Sequence, residues 1–306
     1  MAVSFGIDYT PGQWQVCRVE QGKLTEHRMF EGASELLAEL LAELERYPAA
    51  TIVVSLDVAT PFAPLPELSD EQLERLVQRY HPTPAFREVI ETLRAVRALS
   101  SRCYCAPSVE YLPTVPLHRF LMRPALGSAR EVCAVVALLH YMREQQATWE
   151  EMNFFCVNAS ENGTSVLVIA NGQIVNGINT LQGSAVPVAY GYLASLELAG
   201  EHMDLQPALE EAFWEGLAQD LAGLLAIHHS EDLVVLGKQG EKLVERLSDT
   251  YQIYLFPHAH TEREGYEAAL GAALLGDGLV QDGSASEVVE RLQIRQAQRR
   301  RLAPDF

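Results

Sequence analysis

Apolar and polar positions along this chain trace one order of elements twice. The run Val3-Ser4-Phe5-Gly6-Ile7 leads into the polar stretch Asp8-Tyr9-Thr10-Pro11-Gly12, returns through Gln13-Trp14-Gln15-Val16, and turns again at Gln21-Gly22-Lys23. The second copy runs Phe154-Phe155-Cys156-Val157 into Asn158-Ala159-Ser160-Glu161-Asn162-Gly163-Thr164-Ser165. It continues as Val166-Leu167-Val168-Ile169-Ala170 and closes at Asn171-Gly172. Asn-Gly between alternating apolar runs is the strongest short-range hairpin signal. Each copy therefore predicts a strand, a small polar loop and an antiparallel return, followed by a helix and a further strand.

The remaining pattern fills in those helices and strands. Ser34 is placed to cap a helix running to Tyr47, with Leu37, Leu40, Leu41 and Leu44 on one face and Pro48 after its end. Thr51-Ile52-Val53-Val54-Ser55-Leu56 is nearly continuous in apolar character, as in a strand buried on both faces, and is expected parallel to the first strand with Asp57 at its carboxyl end. Ser69-Asp70-Glu71-Gln72 and Ser128-Ala129-Arg130-Glu131 read as capping boxes, and Pro84 opens a helix carrying Phe86, Val89, Ile90, Leu93 and Val96. Between Pro107 and Pro124, the prolines at 113, 116 and 124 argue against regular helix, and this stretch is the expected crossing between lobes. Pro207 to Ile227 reads as a long helix with Leu209, Phe213, Leu217, Leu221 and Leu224 inward. The small residues from Gly265 to Leu275 permit close helix packing, and Ser286 to Arg301 reads as a last helix.

Length and charge narrow the field. A chain of 306 residues suggests roughly two domains. The balance of 23 Lys and Arg against 41 Asp and Glu gives a net charge of −18, which disfavours nucleic acid and anionic membranes as partners. The cysteines at 17, 103, 105, 133 and 156 lack the paired spacing of a zinc or haem site and fit free thiols in a reducing cytoplasm. No secretory leader or bilayer-length apolar run is evident, so the sequons at Asn158 and Asn162 are expected to stay unmodified. His258 with His260, and His228 with His229, lack a third ligand at a recognised spacing. Arg291, Arg295 and Arg299 form a stripe suited to the dipole at the end of the last helix.

Two polar loops of this kind, each between hairpin strands and facing one cleft, can hold the phosphates of a nucleotide. The arrangement resembles the superfamily of actin, heat-shock chaperone ATPases and sugar and acetate kinases. Asp232-Leu233-Val234-Val235-Leu236-Gly237-Lys238-Gln239-Gly240 looks like its adenosine-binding strand, Gly loop and helix. Pro107 to Arg119 and Ala268 to Leu279 look like signatures of a bacterial and archaeal family of unknown function described as predicted butyrate kinases. The resemblance implies an α/β fold of two duplicated ribonuclease-H-like lobes with a central interlobe cleft, expected here as 1–127 and 128–306, the final helix able to pack back on the first lobe. It implies ATP and magnesium as cofactors, a nucleotide and a small carboxylate as ligands, and allows a homodimer.

The same resemblance assigns roles. Asp8 matches the acid that holds hydrated magnesium, with Gly6, Thr10 and Gly12 around the first phosphate loop. Thr10-Pro11 departs from the Gly-Thr or Gly-Ser of the superfamily, adding a Cβ and removing one N–H donor. In the second loop Asn158 stands where an acid is usual. Glu161 is the candidate replacement carboxylate, with Asn162, Gly163 and Thr164 as donors. Gly237, Lys238 and Gly240 would approach the nucleotide at a helix N-terminus. Acids expected near Ala125 and Arg130 are absent, and His118 and Arg119, with Arg123, are candidates for an anionic acceptor. Two readings stay open: an ATP-dependent phosphotransferase acting on a small carboxylate, and a catalytically silent member that keeps the fold as a binding or oligomerisation module.

Overall fold

A computed structural model describes residues 2–10, 12–78, 84–160, 163–179, 183–184, 206–236, 240–256 and 265–297. The chain forms two units: Met1–Val115 with Ser128–Thr148 and Tyr266–Phe306, and Pro116–Gly127 with Trp149–Gly265.

In the first unit, strands β1 (Val3–Thr10), β2 (Gln13–Glu20), β3 (Lys23–Phe30), β4 (Thr51–Ser55), β5 (Ala63–Pro64) and β6 (Cys103–Cys105) form one sheet in the order β3-β2-β1-β4-β6-β5. The hairpin strands are antiparallel, and β1, β4 and β6 run parallel. Alternation along the strands divides the sheet into two faces. Phe5, Ile7, Ile52 and Val54 join a core with Leu36 and Leu40 of α1 (Ala33–Arg46), Leu73 of α2 (Asp70–Gln78), and Val89 and Leu93 of α3 (Pro84–Leu99).

Ser4, Gly6 and Asp8 lie on the opposite face. There Ser4 Oγ donates to the Ala273 carbonyl at 2.7 Å, within α8 (Glu267–Gly278). A Cβ on Gly6 would come within 1.9 Å of the Ala269 carbonyl oxygen, and one on Gly271 within 1.6 Å of the Cys133 carbonyl oxygen. The small residues of α8 thus bring its backbone against β1 and against α5 (Ala129–Glu144), the close packing their composition predicts.

The second unit repeats the plan. Strands β7 (Phe154–Ser160), β8 (Gly163–Ala170), β9 (Gln173–Ile178), β10 (Asp232–Leu236) and β11 (Gln252–Leu255) are ordered β11-β10-β7-β8-β9. Phe155, Val157, Leu233 and Val235 pack with Phe213, Leu217, Leu221 and Leu224 of α6 (Gln206–His228) and with Leu243 of α7 (Gly240–Leu247). The unit also holds α4 (Leu117–Met122), and α9 (Ser286–Arg291) belongs to the first. Among the described residues no helix is long and apolar enough to cross a membrane.

The duplication extends to single residues. Thr10 pairs with Gln13 and Ser160 with Gly163, so each first hairpin closes over two residues. Asp8 pairs with Gln15 and Ser55; Asn158 pairs with Ser165 and Leu236. The second turns are Gln21-Gly22 (φ 52° and 77°) and Asn171-Gly172 (φ 48° and 69°), left-handed at both positions as a type I′ turn requires. Even the bulges match: Arg18 opposite Glu26 and Val168 opposite Asn176 each precede a register shift.

Local expectations were met unevenly. Both capping boxes form: Gln72 N donates to Ser69 Oγ at 3.2 Å and Ser69 N to Gln72 Oε1 at 2.8 Å, and Ser128 caps α5 with Glu131 returning to its backbone N–H at 2.6 Å. By contrast α1 starts beyond Gly32, and Ser34 lies inside it. Leu41 is exposed while Leu36, Leu40 and Glu43, spaced four and three residues apart, are buried, and Arg18 of β2 bonds the buried Glu43 at 2.7 Å. The proline-rich stretch also accommodates α4, since Pro116 sits at its N-cap, where no N–H is needed, and Pro124 lies beyond its end. The last helix is described as α9 and a 3₁₀ turn at Ile294–Gln296, and the segment from 298 lies outside the described residues.

Candidate functional site

The carboxyl ends of the parallel strands β1 and β4 meet the N-terminus of α5 within the first unit. Asp8, two residues before the end of β1, is fully buried. Its Oδ1 accepts from Ser55 Oγ at 3.2 Å and from Arg130 Nε at 3.0 Å, and its Oδ2 is buried with no hydrogen-bond partner among the described residues. Parallel pairing aligns Asp8 with Ser55, and the capping box fixes the start of α5 so that Arg130, its second residue, reaches the carboxylate.

A cation in the first turn of a helix opposes the helix dipole. Arg130 is held there by carboxylates. Burial works against its charge, but Asp8, Asp57 and Glu131 outweigh that and raise its pKa above the ordinary arginine value. Burial pushes the Asp8 carboxyl upward, with Arg130 and Ser55 opposing and Asp57 adding to the rise. Burial, then Asp57, also raise Glu131, against its bonds from Ser128 and the charge of Arg130. One turn along α5 the Cys133 thiol is pushed up by burial, although it bonds Ser55, which leaves it an inert thiol. Arg130, at a place where the resemblance leads one to expect an acid, is instead the partner of Asp8, and nothing local in the sequence marks it or Ser55 for that role.

The first loop surrounds this end of β1. Thr10 Oγ1 bonds the Gln13 carbonyl at 3.3 Å, and Gly12, at φ +82°, has no atom of the described residues within 4 Å of where a Cβ would stand. Pro11 lies outside the described residues. Gly6 is two residues behind Asp8 on the same face, where the approach of α8 accounts for its missing side chain.

In the second unit, Asn158 occupies the register position of Asp8, and Leu236 stands where Ser55 does. Gly163 opens β8 and Thr164 is buried, paired with Ala159. Gly240 is the first residue of α7, packed against Leu255. Glu161, Asn162, Gly237 and Lys238 lie outside the described residues, as do His258 and His260.

His118 is exposed, whereas Arg119 Nη1 lies 2.8 Å from His228 Nε2, with Asn176 Nδ2 3.1 Å from the same nitrogen. Burial, Arg119 and His229 lower the His228 pKa to about 4, so its ring is neutral near pH 7. Asn176 pairs with Val168, and Val168 with Phe155. This cluster is therefore level with the start of β7, about 17 Å along the strand from Ser160 at roughly 3.3 Å per residue. The structure thus brings Asp8, Thr10 and Gly12 to one sheet end and separates Arg119 from Thr164 along the second sheet.

Asp8 does not fit a magnesium ion in this arrangement. One oxygen is bonded to a guanidinium, the other is enclosed, and a divalent ion there would face a fixed positive charge. Among the described residues no group of three or more His, Cys, Asp or Glu side chains is arranged to hold a metal ion.

The fold recurs in kinases of known structure. An acetate kinase from Entamoeba histolytica superposes with a TM-score of 0.54 at 11 % identity, covering 81 % of this chain and 86 % of that one. A propionate kinase from Francisella tularensis subsp. tularensis gives 0.53 at 11 %, covering 89 % and 98 %. A protein from Listeria monocytogenes described as a proposed N-acetylmannosamine kinase gives 0.52 at 14 %, covering 89 % and 97 %. At these identities the likeness is one of fold, the fold of the actin-like ATPases and sugar kinases. A family model described as "Protein of unknown function (DUF1464)" matches residues 6–206. Comparison with curated proteins found no match.

Proposed function

Since the chain belongs to the DUF1464 family and folds as the acetate and propionate kinases do, we propose that it binds an adenine nucleotide and acts as a binding module with little or no phosphotransfer. The observation that carries this is the Asp8–Arg130 ion pair. Asp8 sits at the strand tip next to the hairpin loop, as a phosphate-site acid should, yet its charge is already neutralised from within the chain. Phosphoryl transfer depends on positioning and on cations that take up developing charge. With Thr10 in place of a Gly and Asn158 in place of an acid, the loops keep the frame of such a site while lacking several of its parts.

The phosphotransferase reading, with a small carboxylate as acceptor as in the predicted butyrate kinases, is supported by the acetate and propionate kinases among the structural relatives. Its weakness is that Arg119, the basic candidate for the acceptor, lies towards the start of β7.

Thermal unfolding with millimolar ATP tests the binding. At 100 times the dissociation constant the stabilisation is about 2.7 kcal/mol. Product formation from ATP with acetate or butyrate tests the chemistry. A nucleotide shift without turnover is the expected result; turnover abolished by Asp8→Ala would establish the phosphotransferase instead, and no shift under any condition would remove the nucleotide.

A further inference from the structure

We propose that Arg130 replaces a divalent cation on Asp8, so that this site takes a nucleotide phosphate, or another oxyanion, without magnesium. This rests on reading the β1 loop as a phosphate site. A cation next to Asp8 must neutralise one buried carboxylate and still offer a ligand oxygen something to bond. Arg130 does the first directly, with Nε 3.0 Å from Oδ1.

It is also built for the second. The side chain is 24 % exposed, and among the described residues its two terminal nitrogens have no hydrogen-bond partner, so four N–H donors remain for ligand oxygens. The nearby acids do not use up these donors. Glu131 is engaged by the backbone and hydroxyl of Ser128, and Asp57 is exposed to solvent. A guanidinium binds phosphate oxygens in fork geometry, which a metal-held phosphate does not need. A free divalent ion is correspondingly disfavoured, since it would sit beside the fixed positive charge of the guanidinium.

Manganese binding, read by electron paramagnetic resonance without nucleotide, tests this on the wild type, Asp8→Asn, Arg130→Gln, Arg130→Lys and the Arg130→Gln, Asp8→Asn double variant. Wild type and Arg130→Lys should show no Asp8-dependent manganese. Arg130→Gln should gain a site at least roughly tenfold tighter, lost again in the double variant. Manganese bound by wild type and lost in Asp8→Asn would overturn the proposal, even if Arg130→Gln failed to fold. So would a folded Arg130→Gln with no gain.

In parallel, the thermal shift by ATP in EDTA should equal that in magnesium for wild type and become magnesium-dependent in Arg130→Gln. A wild-type shift seen only with magnesium would overturn the proposal. If ATP shifted no variant in either buffer, the nucleotide reading would fall, and manganese would still decide whether Arg130 holds a cation's place.

Discussion

Asp8 and Asn158 occupy the same position in two copies of one hairpin, yet their surroundings differ. Beside Asp8, β4 supplies Ser55 and α5 supplies Arg130; beside Asn158, β10 supplies Leu236. Two residues earlier the contrast recurs. Gly6 admits the backbone of α8, whereas the matching Cys156 carries a side chain. The backbone plan matches to the level of turns and bulges, but at this position only the first copy carries a buried carboxylate. A charge that is expensive to bury persists where a partner is built for it.

The largest effect should come from removing that partner. Arg130→Met leaves Asp8 buried and unpaired, which costs about 3–5 kcal/mol in comparable pairs, whereas Asn158→Ala should cost well under half of that. Chemical denaturation at pH 8 measures both. The loss should shrink in acid. Without Arg130 the folded-state pKa of Asp8 is raised further above its ordinary 3.8, so stability is present below that value and lost as pH rises through the folded pKa. A loss independent of pH would contradict the pairing.

Next in size is Gly6→Ala, whose Cβ meets backbone and not a movable side chain, at about 1–3 kcal/mol or more. Cys156→Ala at the matching place should cost about 1 kcal/mol for the lost packing. Equal losses from the two changes, measured by urea unfolding, would mean that α8 does not seat against β1 as described.

Smaller still is the pH dependence of the pair between Arg18 and Glu43. Burial raises Glu43, but its bonds to Arg18 and Arg46 prevail and lower its pKa below the ordinary 4.5. The sign is therefore opposite to that of Asp8: this stability is present above the ordinary value and lost as pH falls through the folded one. Arg18→Gln should flatten the acid limb of a stability–pH profile between about pH 5 and pH 3, and an unchanged limb would remove Glu43 from that role.

What the sequence disclosed follows from the range of each interaction. Period-two patterns, Asn-Gly turns and capping boxes act within a few residues, and the hairpins, the strand order they imply and the starts of α2 and α5 were legible. Leu41 misled because the buried stripe of α1 runs through Leu36, Leu40 and Glu43, and the partner that lets Glu43 be buried, Arg18, is 25 residues away in sequence. Asp8 could be read as a candidate from its strand tip, but its link to Arg130 spans 122 residues and depends on parallel pairing and helix placement. Only the unexpected basic residue at position 130 hinted at it.

The most direct test of the account is equilibrium binding of a fluorescent ATP analogue to the wild type, Arg130→Met and Asn158→Ala. In EDTA the account predicts saturable binding by the wild type, weakened at least roughly tenfold, about 1.4 kcal/mol, in Arg130→Met and nearly unchanged in Asn158→Ala. Binding as tight in Arg130→Met as in the wild type, with both folded, would contradict it.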